Sequence, residues 1–118
     1  MKTYTVVFGL STSTDPGPAP FGEGHFRAVE TVARMASRYL QGATVAPAVG
    51  TSDEWGQESS VTVLTTARYA DLLPTVGYIL RAFEQEAAYV TVDGASPALW
   101  WIDDKGRYNN GIRIESLS

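Results

Sequence analysis

Two short stretches of this chain hold the side chains that could do chemistry. Around Trp55, the segment Gly50 to Glu58 (GTSDEWGQE) places Asp53, Glu54, Gln57 and Glu58 close together. Paired carboxylates can act as general acid and base when their environments separate their pKa values. The plainer reading is a solvated turn with Trp55 folded over the core, and it is preferred because charged turns are common surface features. The second stretch is FGEGHF, where His25, the single histidine, stands beside Glu23 and the hinge of Gly22 and Gly24. One His cannot build a His-rich metal site, although His with carboxylates can hold a metal weakly. A histidine in a first helical turn, exposed or capping, is the preferred reading. A third feature is aromatic. Trp100 and Trp101 are adjacent, and in a strand they must point to opposite faces. The residues to watch for binding are therefore His25, Glu23, Asp53, Trp55, Glu58, Trp100 and Trp101. No catalytic residue, cofactor or metal is assigned.

Composition narrows the function classes. The 118 residues suit one domain, and 44% hydrophobic content is enough for a core. The formal charge of -4 argues against a phosphate-rich partner, because such binding rests on Lys and Arg. Cysteine is absent, which excludes disulfides, thiolate chemistry and Cys-based zinc sites. The chain holds no Walker loop, G-x-S-x-G or H-E-x-x-H. FGEG at Phe21 to Gly24 follows a loop instead of a strand, so a dinucleotide fingerprint is rejected. The opening MKTYTVVFGLST reads as a strand and is too short for a signal h-region. No run is long enough to span a membrane. The expected location is cytoplasmic, in the host if a phage encodes the chain.

The elements that must position these residues follow from periodicity. Thr3 to Leu10 alternates, with Tyr4, Val6, Phe8 and Leu10 on one face. The Pro- and Gly-rich loop STSTDPGPAPFGEG follows. A helix is expected from near Glu23 to Gly42, with Phe26, Val29, Ala33, Ala36 and Leu40 as its buried stripe. Val32 and Tyr39 widen that stripe, and Gly42 is placed as the left-handed residue after the end. Ala43 to Val49 reads as a strand that Pro47 confines to a sheet edge. Ser59 to Thr66 is a stronger strand, rich in β-branched residues. A second helix is expected from Asp71 as its cap, with Pro74 in the first turn. Its stripe is Leu72, Val76, Ile79, Leu80, Phe83 and Ala87. Ala88 to Val92 and Leu99 to Ile102 are further strands, and RYNNGIRIES at Arg107 to Ser116 is either a hairpin arm or a tail.

This order predicts an α+β domain of the ferredoxin-like, split β-α-β type (βαββαβ). Two helices cover one face of an antiparallel sheet, the core spans residues 3–102, and residues 103–118 form a C-terminal extension. The segments FGLS at Phe8 to Ser11, GATV at Gly42 to Val45, Gly50 with Trp55, and ESSVTVL at Glu58 to Leu64 resemble a family of small uncharacterised bacterial and phage proteins. TVDGASP at Thr91 to Pro97 looks like that family's last motif. The resemblance implies the same fold and a bacterial or phage source; the family brings no activity with it.

The expected function is a small non-catalytic binding or interaction module, one that sequesters a host protein or small molecule. The alternative is a small enzyme using Glu58, Asp53 or His25 in a pocket between the central hairpin and the first loop. A sheet face left open by the helices, and carrying one of the two adjacent tryptophans, points to a homodimer. The competing cover for that face is the arm Arg107 to Leu117. Nucleic acid and membrane are not expected partners.

Overall fold

The computed structural model describes residues 1–95, 97–102 and 108–113; for 101, 102 and 108–113 the description is of the backbone. The elements run β1 (Lys2–Gly9), α1 (Glu23–Ser37), β2 (Ala43–Ser52), β3 (Gly56–Ala67), α2 (Tyr69–Ala82), β4 (Ala87–Val92), β5 (Ala98–Ile102) and β6 (Tyr108–Arg113). The strands form one six-stranded sheet in the order β2-β3-β1-β4-β5-β6. Every pairing is antiparallel. The first four strands in sequence have the ferredoxin-like order, and both helices cover one face. The C-terminal extension is a hairpin partner: β6 pairs with β5 and lengthens the sheet instead of trailing from it.

Strand alternation builds the core. Tyr4, Val6 and Phe8 of β1 stand opposite Thr65, Val63 and Val61 of β3, and all six are buried. Val90 of β4 extends the row. Against this face lie Val32, Met35 and Ala36 of α1, with Leu72, Val76, Ile79 and Leu80 of α2. Burial pushes the Tyr4 hydroxyl above its ordinary range, with the charges of Asp93 and Tyr69 adding to the effect.

The helices differ from expectation at the edges of the stripe and at their ends. On α1 the buried positions are His25, Ala28, Val32, Met35 and Ala36, while Phe26 and Tyr39 are exposed. The expected stripe holds at Val32, Ala36 and Leu40, with Val29 packed against the core, and fails at its edges: the helix ends at Ser37, and His25 and Met35 turn inward while Phe26 and Tyr39 do not. Gly42 is not among the left-handed residues, because the chain leaves the helix through Arg38 in a right-handed conformation. Helix α2 begins at Tyr69 with Arg68 as its uncapped boundary, so Pro74 falls in the second turn. Asp71 is not a cap; its carboxylate pairs with the Arg68 side chain at 2.9 Å. Ala87 belongs to β4.

Trp100 is the tryptophan that enters the core. It is 3% exposed and meets Tyr4 and Tyr69 edge-on, with ring centroids 6.0 and 5.8 Å apart. The side chain of Trp101 lies outside the described residues. The opposite face of the sheet is open: Val7 and Thr62 are half-buried, Leu64 is 47% exposed and Tyr89 is 53% exposed. Edge-to-face aromatic pairs add to the area an indole buries. Trp100→Ala is therefore expected to destabilise the domain by about 3–5 kcal/mol, read as a lower denaturation midpoint in urea.

Candidate functional site

An open cleft of about 520 Å³ lies at one end of the sheet. Three segments far apart in sequence wall it: the start of the loop after β1 (Ser11 to Thr14), the β2–β3 hairpin (Glu54, Trp55, Glu58), and the α2–β4 turn (Glu84 to Ala87). Four carboxylates line it, Glu54, Glu58, Glu84 and Glu86, and among the described residues no Lys, Arg or His does. The cleft therefore carries a concentrated negative field, which low-dielectric walls strengthen toward a cationic ligand.

The hairpin forms because β2 and β3 pair in continuous register from Ala43↔Thr65 to Ser52↔Gly56. Pro47 lies opposite Val61, and β2 is the sheet edge, where a missing amide hydrogen is tolerated. Gly56 closes the turn at φ 77°, a conformation that a side chain would strain. Glu58 and Ser52 fall on the same side of the hairpin by alternation. The Ser52 hydroxyl donates to Glu58 Oε1 at 2.9 Å and accepts the Trp55 amide N–H at 3.0 Å. Trp55 is half-buried, and its indole Nε1–H donates to the Thr12 carbonyl at 3.0 Å.

Two side chains thus hold consecutive carbonyls of the loop from opposite walls. Trp55 takes Thr12, and Gln85 Nε2 donates to the Ser11 carbonyl at 2.7 Å. Gln85 also lies over Gly9, where an added Cβ would come within 3.3 Å of its Oε1. Gln85 is held in turn by the end of α2. Glu84 adopts φ 55°, and the Glu84 and Gln85 amides donate back to Arg81 and Leu80 carbonyls. That is the Schellman closure, with a glutamate at the position where glycine is usual.

The expected site residues separate on these grounds. Glu58 and Trp55 line the cleft. Glu84, Gln85 and Glu86 join them without having been singled out in the sequence, because the α2–β4 turn carries no motif. Asp53 is exposed at the hairpin tip and is not part of the lining. Glu23 is solvent-exposed on α1 and ion-paired with Arg27 one turn on. Trp100 is core. No group of three or more His, Asp or Glu among the described residues is gathered closely enough to hold a metal ion.

His25 is a structural residue and does not line the cleft. It is 0% exposed. Its Nδ1 accepts the Phe21 amide N–H at 2.8 Å, so that nitrogen carries no proton. Its Nε2 must then be the protonated nitrogen, donating to the Ser60 carbonyl at 2.8 Å. The ring joins the loop, α1 and β3. The expectation of an exposed or merely capping histidine is corrected on this point: the ring caps the chain just ahead of α1 and is buried as well.

No protein-family model and no curated protein matches the chain. Solved structures do. A phage SAM lyase in the apo state is 14% identical, with 96% of this chain and 90% of that chain covered and a TM-score of 0.53. A phage SAM lyase in complex with S-methyl-5'-thioadenosine is 15% identical, with 94% and 88% covered and a TM-score of 0.47. The first likeness extends over nearly the whole chain and shows a shared fold. It also corrects the expectation of a non-catalytic binding module, because the fold is that of a phage enzyme. The alternative of a small enzyme with a pocket between the central hairpin and the first loop is the reading the likeness favours.

If His25 is structural, its removal strands two buried backbone groups. Each unpaired group costs about 1–3 kcal/mol. His25→Ala is expected to lower the thermal midpoint well beyond the change seen for an exposed control such as Glu23→Ala. Equal midpoints would show that the ring is dispensable to the fold.

Proposed function

We propose that this chain is a small phage-related enzyme that cleaves SAM (S-adenosylmethionine) as a lyase, with the acidic cleft as its site. The observation that carries the reading is the cleft itself: four carboxylates and an aromatic ring, with no basic group among the described residues, in a fold shared with a phage SAM lyase. SAM bears a sulfonium and an ammonium against one carboxylate, so its reacting end is a cation that such a field attracts. The Trp55 indole N–H is committed to Thr12, so what the ring has left to offer a ligand is its face. An aromatic face suits either a cation or a stacked base.

Attraction alone does not accelerate the reaction. When the carbon–sulfur bond breaks, its electron pair stays with sulfur, which becomes a neutral thioether. The electron-poor carbon is closed by the substrate's own carboxylate oxygen, which forms a lactone, so nothing is added and no proton moves. The substrate's positive charge at sulfur is lost on the way, so a carboxylate field tightens binding more than it lowers the barrier. Rate must come from holding the substrate in a reactive conformation away from water. Glu58 suits that task best among the four, because it is half-buried and its carboxylate is anchored by a hydroxyl, while Glu54, Glu84 and Glu86 are exposed.

Hydrogen bonds to charged groups contribute about 1.5–3 kcal/mol, so Glu58→Gln is expected to lower kcat/KM for SAM roughly 10- to 100-fold. Mass spectrometry of SAM loss and of the released adenosyl thioether reads this directly. Wild-type protein that consumes no more SAM than a heat-inactivated control would overturn the lyase reading.

We also propose that the chain pairs as a homodimer through the open sheet face. Across β2, β3, β1, β4 and β5 the positions that alternate onto that face include Ala46, Thr62, Leu64, Val7, Tyr89 and Leu99, all uncharged. Strand β6, at residues 108–113, extends the sheet edge beside β5. Light scattering at micromolar concentration is expected to give twice the chain mass, and Tyr89→Glu with Leu64→Glu is expected to halve it. Any other wild-type mass overturns the dimer.

A further inference from the structure

The hairpin contains a short relay that ends on Glu58. Trp55 N–H can only donate, so the 3.0 Å contact to Ser52 uses one lone pair of the hydroxyl oxygen. The hydroxyl has a single proton, and a carboxylate oxygen accepts. That proton is therefore directed to Glu58 Oε1 at 2.9 Å. The other end of the relay is also fixed, since the Trp55 indole is bound to the Thr12 carbonyl across the cleft. A main-chain amide, which cannot rotate independently of the turn, thus sets the rotamer of Ser52, and Ser52 sets the rotamer of Glu58.

We infer that Ser52 is a positioning residue for the reaction: it acts through Glu58 and holds that carboxylate at one orientation in the cleft. This rests on the lyase reading above. A glutamate on an exposed hairpin has several rotamers, and one that is held in advance loses less freedom on meeting a cation. The neighbouring charges sharpen the need. Glu54, Glu84 and Glu86 share the cleft with Glu58, and their like charges favour a free carboxylate that turns outward. The hydroxyl is the neutral group that keeps Glu58 in place. Nothing in the sequence pattern marks Ser52, a serine at the end of an edge strand.

The test is a double-mutant cycle on SAM cleavage. Ser52→Ala is expected to lower kcat/KM roughly tenfold, the worth of one hydrogen bond to a charged group. In a Glu58→Gln background the same change is expected to have little further effect, because its target is gone. Ser52→Thr, which keeps the hydroxyl and suits a strand, is expected to recover most of the activity. Additive losses in the double variant, or a Thr variant no better than Ala, would show a purely structural serine and overturn the inference. Active wild type with an equally active Ser52→Ala variant would overturn it while leaving the lyase reading intact. Inactive wild type would overturn both.

Discussion

Both nitrogens of one buried ring are committed to the main chain, and the rest of the molecule is arranged around that commitment. His25 accepts a hydrogen bond from the Phe21 amide and donates one to the Ser60 carbonyl, so a loop, the first turn of α1 and strand β3 meet at a single imidazole. Phe21 adopts φ 59° at this junction, a conformation that a bulky residue holds only when its surroundings impose it. The ring contact between Phe21 and His25, with centroids 5.6 Å apart, supplies part of that imposition. The Ser59 hydroxyl adds another tie by donating to the Pro18 carbonyl. A loop rich in Pro and Gly would otherwise be free to wander, and its first residues could not serve as a wall.

With the loop fixed, the cleft becomes a matter of electrostatics. Its carboxylates come from a hairpin and from a helix-to-strand turn, and the loop closes the space between them. Glu54, Glu84 and Glu86 are solvent-exposed, and Glu58 is half-buried and bonded to Ser52. Glu84 also closes the end of α2. It occupies the left-handed position at the end of α2 where glycine would sit with less strain.

The two faces of the sheet divide the labour. One is filled by the helices and by Trp100, and its alternating Tyr4, Val6 and Phe8 are closed to solvent. The other is exposed at Leu64 and Tyr89, and the alternation of β3 brings Glu58 onto it at one end. Strand β6 lengthens the sheet laterally.

The ferredoxin-like order, the edge position of the Pro47 strand and the placement of a pocket beside the central hairpin were all legible in the amino-acid sequence. Each rests on local physics: period-two alternation, a missing amide hydrogen, and a glycine-bearing turn between two β-branched runs. The edges of the buried stripe of α1 were not legible. Phe26 and Tyr39 are as apolar as Val32 and Met35, and only the rotation of the helix on the sheet decides which of them is buried. Nor could the sequence distinguish Trp100 from Trp101 as the core residue, because alternation fixes that they differ and not which one faces the helices. The role of His25 depended on two backbone partners, Phe21 four residues before it and Ser60 thirty-five after it, and hydrogen bonds to main-chain atoms leave no trace in residue identity. The same holds for the cleft. Glu58 announced itself beside a tryptophan, whereas Glu84 and Glu86 come from a turn distant in the chain and reach it only through the crossover that carries α2 back to the sheet.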